Sequence, residues 1–394
     1  MIRKEKKCVD FNQIVDRKGT HCTQWDYIED RFGENNLLPF TISDTDFMLP
    51  GEVRHTLSKR LEHGIFGYTR WNHQAFQEAV LKWYRNRFNL EIKKEWLNYS
   101  PSVIYSISLL IDMHSDKQDG VIVQTPAYDA FFKTIVGNQR KLIENPLLYQ
   151  NGLYSINFIE LETKLSDPQN KILLICSPHN PTGRVWEKEE LKKIVELCKK
   201  YQVFLISDEI HMDIVRKEYA HHPILELSEQ NVAIVTSGSK TFNFPGLIFS
   251  YVLLPSETDR KAFRYRLKNR DGLSSASTLG LEATISAYDN CENWVEELNE
   301  YIDGNIEYVK KELLKKMSTI KVVESHSTYL MWLDMTNYPG TMEEIQKKLL
   351  EIGQVAIMDG GVYGGNGRNF LRLNVGCPRH KVVDGLHRLI KSLN

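Results

Sequence analysis

The chain is poor in every feature that would mark a disulfide scaffold, a membrane protein or a nucleic-acid binder. Its six cysteines, Cys8, Cys22, Cys176, Cys198, Cys291 and Cys377, are scattered, and no two form a Cys-x-x-Cys pair. They read as reduced thiols in a cytoplasmic protein. No apolar run approaches the length of a membrane span. The opening Met1-Ile2-Arg3-Lys4-Glu5-Lys6-Lys7 is charged and no apolar core follows it, so no signal peptide is expected. Basic and acidic residues nearly cancel, 50 against 51. That balance gives no bulk field to attract nucleic acid or an acidic membrane. Internal repeats and low-complexity segments are also missing. What remains is an ordinary globular composition, 42% hydrophobic and 26% charged. A length of 394 residues predicts two domains, or one large domain with a satellite.

The segment from Cys8 to Thr45 carries Trp25, Tyr27, Phe32 and Phe40 without a helical or strand period, and reads as an arm packed on something else. It runs into Thr41-Ile42-Ser43-Asp44-Thr45-Asp46-Phe47. Asp44 and Asp46 are read as turn-capping residues before Pro50, with an acid/base pair or metal ligands as the alternative. Helices are predicted over Gly51 to Glu62 and about Asn72 to Arg87, around an aromatic loop from Gly64 to Trp71. Another helix begins at Val103, where Ser102 is a ready cap and the free N–H groups of the first turn suit a phosphate.

From there strand and helix alternate. Val121–Gln124, Ile172–Cys176, Val203–Ile206 and Val232–Thr236 read as buried strands, and Glu187 to Lys200 as an amphipathic helix. Phe249–Leu254 reads as a further strand. The alternation predicts an α/β fold with a mostly parallel central sheet and flanking helices. We expect an arm over 1–48, a large domain over 49–288 and a smaller α+β domain over 289–394.

The strand Val232–Thr236 ends in Ser237-Gly238-Ser239-Lys240-Thr241-Phe242. Alone, this lysine reads first as a solvated loop residue. The other strand ends change that. In a parallel sheet every forward strand delivers its carboxyl end to one edge. That edge gathers Tyr128 from Thr-Pro-Ala-Tyr-Asp, Asn180 from Asn-Pro-Thr-Gly, Asp208 from Ser-Asp-Glu-Ile-His, and Lys240. An aromatic, an amide, a carboxylate and an amine are the groups pyridoxal 5'-phosphate needs: a lysine for its imine and an acid for its ring nitrogen. A carboxylate touching that nitrogen contributes about 4 kcal/mol at an effective dielectric near 20, roughly three pKa units. Asn180 would donate to the phenolic oxygen, and Tyr128 would cover the ring face. A metal site on Asp208, Glu209 and His211 is the rival reading, but alternate strand side chains point apart.

At these residues the chain resembles the fold-type-I pyridoxal phosphate enzymes of the aspartate aminotransferase superfamily. Within them it is similar to the MalY/PatB group of cystathionine β-lyases. The resemblance runs over nearly the whole chain, through Val15-Asp16-Arg17, Cys22-Thr23-Gln24-Trp25-Asp26-Tyr27, Leu38–Asp44, Pro101–Tyr105, Asn269–Ser275 and Arg372-Leu373-Asn374. It implies Lys240 as the imine lysine, Asp208 on the ring nitrogen, Asn180 on the phenolic oxygen and Tyr128 stacked, with Lys240, Tyr128 and Asp208 as the catalytic set. It implies a phosphate held by Ser102, Val103, Ser237 and Ser239, with Tyr68 reaching over from the other subunit of a homodimer. Arg372 would clamp the substrate carboxylate, with Tyr68 and Asn180 beside it; the alternative for Arg372 is a buried structural role. Two positions depart from related patterns. Ile248, eight residues past Lys240, stands where aminotransferases commonly carry a phosphate-binding arginine. Ser100 stands where the group has glycine.

The implied reaction is β-elimination from a sulfur amino acid: cystathionine would give homocysteine, pyruvate and ammonia. An aminotransferase is the alternative on the same cofactor, since both reactions begin with loss of the α-proton. A third expectation is a regulatory protein partner acting through the surface, because a fold does not fix a function.

Overall fold

The computed structural model describes residues 9–394; Cys8 and the charged amino terminus lie outside them. The central element is a seven-stranded sheet in the order Leu97–Ser100, Ser250–Leu253, Val232–Thr236, Phe204–Asp208, Asn170–Cys176, Gly120–Thr125, Lys141–Pro146. Ser250–Leu253 is antiparallel to both its neighbours, and the remaining pairings are parallel. The inner strands are buried along their whole length, which is why they read as continuous β-branched and apolar runs rather than alternating ones. Each fully buried Ile, Leu or Val in them contributes about 1.5–3 kcal/mol.

The predicted helices are present, with ends shifted by one to three residues. Lys188–Tyr201 opens on a capping box between Glu187 and Glu190 and closes on Gln202 in the left-handed region. Gly51–His63 ends on Gly64 in the same conformation. The helix Glu257–Tyr265 begins where Ser256 caps it through the Asp259 N–H. Two strands of the main sheet carry no clear strand signal. Leu97–Ser100 is only four residues long, and Lys141–Pro146 is a half-exposed edge.

A second sheet of five strands holds Leu38–Phe40, Val355–Asp359, Phe370–Asn374, Leu330–Asp334 and Lys321–Val322, in that order. Leu38–Phe40 pairs in parallel with Val355–Ile357, so the amino-terminal arm is stitched into the carboxyl-terminal part of the chain. Asp44 and Asp46 are ion-paired rather than turn caps. Arg17 bridges them at 2.7 and 2.8 Å, and Lys381 donates to Asp46 at 2.5 Å. Burial pushes the Asp46 carboxyl upward, but Lys381 and Arg17 outweigh it and hold it below the ordinary carboxylate range. Cys22, Cys176, Cys198, Cys291 and Cys377 are free thiols. Among the described residues no helix is long and apolar enough to cross a membrane.

Candidate active site

The carboxyl ends of the parallel strands open into one cavity of about 220 Å³. Its lining includes Ser102, Val103, Tyr128, Asn180, Asp208, Ser237, Ser239 and Lys240, eight residues singled out from the sequence. Strand register explains the convergence. Asp208 ends its strand opposite Cys176, four residues before Asn180, and opposite Val235, five residues before Lys240. The strand Leu97–Ser100 runs in the same direction and carries Ser102 to the same edge.

Lys240 is enclosed, and its Nζ donates to the Ser43 carbonyl at 2.6 Å. Burial and the neighbouring Arg372 lower its amine to about 8, against the opposite pull of Asp44 and Asp208. Burial pushes the Asp208 carboxyl up to about 7, although the Ile210 N–H, at 3.1 Å, and Lys240 favour its ionised form. A buried carboxyl with one backbone donor is short of a cationic partner. His211 borders the cavity with its proton affinity pushed down to about 3 by burial, Lys240 and Arg372, so its ring is neutral. Glu209 turns to the other side of the sheet, toward Ser207, the Ile224 N–H and His221. The alternation expected of a strand therefore separates it from Asp208.

At the helix start, Ser102 does act as a cap: its Oγ accepts from the Tyr105 N–H at 3.1 Å. The N–H groups of Val103 and Ile104, in the first turn, have no intrahelical acceptor and border the cavity. Ser237 is committed elsewhere. Its hydroxyl donates to the Phe249 carbonyl at 2.7 Å and accepts from the Ser239 N–H at 3.1 Å. A hydroxyl has one proton, so Ser237 positions the loop and leaves Ser239 as the serine donor beside the helix. Ser100 fills the place of a glycine without strain: its backbone is not left-handed, and its Oγ donates to the Ser102 carbonyl. Ile248 borders the cavity in the left-handed region, with φ of 51°, an unusual conformation for a β-branched residue.

Arg372 comes from the second sheet, paired with Trp332 and Met358. It is buried, lies over the Tyr363 ring, and donates from Nη1 to Asn180 Oδ1 at 3.0 Å and from Nη2 to the Thr41 carbonyl at 2.8 Å. Tyr68 does not enter the cavity of its own chain; its side chain is 98% exposed, next to exposed Ile65 and Phe66.

Sequence reasoning missed Ser43 and Tyr329. The Tyr329 hydroxyl donates to the same Ser43 carbonyl that Lys240 reaches, at 2.9 Å. Ser43 takes part through its main chain, so its side chain carries no signal. Tyr329 sits just before a short buried strand and looks like core. Taken together, an enclosed amine of lowered proton affinity, a buried acid with no cation in direct contact, and unpaired N–H groups at a helix start fit a phosphorylated, electron-poor aromatic aldehyde.

A family model for aminotransferase class I and II matches residues 35–389. Protein MalY of Escherichia coli is 43% identical, with 98% of this chain and 98% of that protein aligned. Cystathionine beta-lyase PatB of Bacillus subtilis is 35% identical over 98% of this chain and its own whole length. Among solved structures, cystalysin of Treponema denticola, whose crystal structure contains pyridoxal 5'-phosphate, superposes with a TM-score of 0.93. It is 32% identical, with 98% of this chain and 99% of that one covered.

Proposed function

We propose that this chain, which belongs to the aminotransferase class I and II family, is a pyridoxal phosphate-dependent carbon–sulfur β-lyase acting on small sulfur amino acids such as cystathionine. The observation that carries the reading is the meeting of Lys240 and Asp208 in one buried cavity, bordered by Tyr128 and Asn180. The likeness to PatB supports the lyase over the transaminase. So does Ile248, a residue with no charge to offer a phosphate.

When bound, pyridoxal phosphate supplies an electron sink for the substrate α-carbon. The protein's own part divides among the residues of the cavity. Lys240 would hold the cofactor through its amine and is placed to take the α-proton on Nζ; an amine lowered to about 8 is a competent base at neutral pH. Asp208 would face the ring nitrogen and favour its protonated form. Asn180, its Oδ1 engaged by Arg372, would offer its Nδ2 donor to the phenolic oxygen. Tyr128 would cover the ring. Val103, Ser102 and Ser239 would hold the phosphate at the helix start. Arg372 exchanges its contact with the Thr41 carbonyl for the substrate carboxylate. The net change is loss of the β-thiol, with pyruvate and ammonia as the other products.

The assembly belongs to the same proposal. Tyr68, with Ile65 and Phe66, forms an exposed apolar face that a second copy covers, and Tyr68 then reaches the phosphate of the neighbouring subunit. The test of the function is the product. Pyruvate and free thiol formed without any added keto acid support elimination, whereas amino-group transfer that requires a keto acid overturns it.

A further inference from the structure

We infer that Tyr329 is a positioning residue for Lys240: its hydroxyl keeps the Ser43 carbonyl partnered when the lysine amine leaves that carbonyl for the cofactor aldehyde. The inference rests on the reading of Lys240 as the cofactor lysine. Lys240 Nζ and Tyr329 Oη reach the Ser43 oxygen at 2.6 and 2.9 Å. A carbonyl oxygen has two lone pairs, and among the described residues these two donors take both. Ser43 is buried at the edge of the cavity. Its carbonyl is not free to swing to another donor. Asn374 Nδ2 holds the carbonyls on either side, Ile42 at 2.6 Å and Asp44 at 2.7 Å.

Tyr329 is itself set rigidly. It is fully buried, and among the described residues the Ser43 carbonyl is the one partner of its hydroxyl. Burial and Asp44 push its phenol well up, so it keeps its proton and donates. The residue before it, Thr328, is in the left-handed region with φ of 63°, which a β-branched residue rarely adopts. That turn is held from several sides. The Thr328 N–H donates to the Ile214 carbonyl at 2.8 Å, its carbonyl accepts from Arg216 Nη2, and its Oγ1 accepts from the Leu330 N–H at 3.1 Å. Strained backbone persists where its surroundings over-determine it, and it gathers at functional sites. Here it delivers the phenol to the carbonyl that Lys240 uses.

The consequence follows from the chemistry of the amine. When neutral Nζ bonds to an aldehyde carbon, both amine protons leave with the aldehyde oxygen as one water. The Ser43 carbonyl then loses its lysine donor. With Tyr329 in place it keeps a partner, and the exchange leaves no bare buried acceptor. Without that hydroxyl the carbonyl depends on Lys240 alone and holds the amine back. Tying the arm to the second sheet does not need Tyr329, because Arg372 and Asn374 already grip the Thr41, Ile42 and Asp44 carbonyls.

The test compares two ligands on cofactor-free wild type and Tyr329→Phe. Pyridoxal phosphate is followed by imine absorbance. Pyridoxine phosphate, which carries an alcohol in place of the aldehyde and takes no bond from Lys240, is followed by calorimetry. The expected result is pyridoxal phosphate affinity at least about fivefold weaker in Tyr329→Phe, as for a buried acceptor left bare, with pyridoxine phosphate affinity unchanged. Equal loss for both ligands, or no loss for either, overturns the role of Tyr329 while the imine at Lys240 still forms. No imine in the wild type overturns this inference together with the lyase reading. If Tyr329→Phe fails to fold, a crystal structure of the cofactor-loaded wild type carries the test. The Tyr329 hydroxyl is expected on the Ser43 carbonyl after Lys240 has left it, and a hydroxyl found off that carbonyl overturns the inference.

Discussion

Arg372 Nη1 lies 3.0 Å from Asn180 Oδ1, so a strand of the second sheet holds the amide at a strand end of the first. Arginine only donates, which fixes the amide: the oxygen faces Arg372 and the NH2 is free for the cavity. The residues proposed as substrate clamp and cofactor ligand are thus one linked unit. Arg372→Lys keeps the charge but loses the planar fork. We expect kcat/KM to fall by about 10–150-fold, the equivalent of about 1.5–3 kcal/mol for a charged hydrogen bond. KM should rise through the lost carboxylate fork, and the loosened Asn180 amide should weaken cofactor binding as well. Steady-state kinetics with a cofactor titration check it.

Asp208→Asn removes the carboxyl proposed to face the ring nitrogen. The lost interaction of about 4 kcal/mol corresponds to roughly a thousandfold fall in kcat. The cofactor should still bind through Lys240. Turnover within tenfold of wild type, with cofactor retained, would show that the acid is not coupled to the ring.

The lowered proton affinity of Lys240 predicts the pH dependence of cofactor loading. Only the neutral amine attacks an aldehyde. Its midpoint in the folded chain is about 8, against an ordinary lysine near 10.5. The rate of pyridoxal phosphate uptake by cofactor-free protein should therefore rise with pH and level off above about 8. The same shift has a stability consequence. Between about 8 and 10.5 the unfolded chain binds the extra proton, so the Lys240 contribution makes the cofactor-free protein more stable as pH rises through that window. Stopped-flow absorbance and thermal melts at several pH values measure the two effects.

Exposed Tyr68 predicts complementation between subunits. Tyr68→Phe and Lys240→Ala are each expected to be weak or inactive alone. Mixed and reassembled, a hybrid dimer holds one site with an intact Lys240 from one chain and an intact Tyr68 from the other. Activity should return in the mixture. If Tyr68 acted within its own chain, mixing would restore nothing.

Much of the main sheet and its site was legible because both depend on local pattern. Buried parallel strands such as Val232–Thr236 are continuous apolar runs, and the small polar residues after them mark where chain meets ligand. The parallel rule then assembled Tyr128, Asn180, Asp208 and Lys240 without any long-range contact being known. Contacts made through main-chain atoms were not legible. The Ser43 carbonyl takes both Lys240 and Tyr329, and no side chain encodes that. Asp44 and Asp46 were misread because their partners, Arg17 and Lys381, lie far apart in sequence and meet only after folding. The family resemblance implied Ser237 as a phosphate donor, but its single proton goes to the Phe249 carbonyl.

The most direct test of the account is pyruvate release from cystathionine, with no keto acid present, by wild type and Lys240→Ala protein supplied with pyridoxal phosphate. We expect one pyruvate for each homocysteine thiol from the wild type, and none above background from the variant. Unchanged turnover in Lys240→Ala, or a wild type that yields no pyruvate from cystathionine, cystine or cysteine, would contradict it.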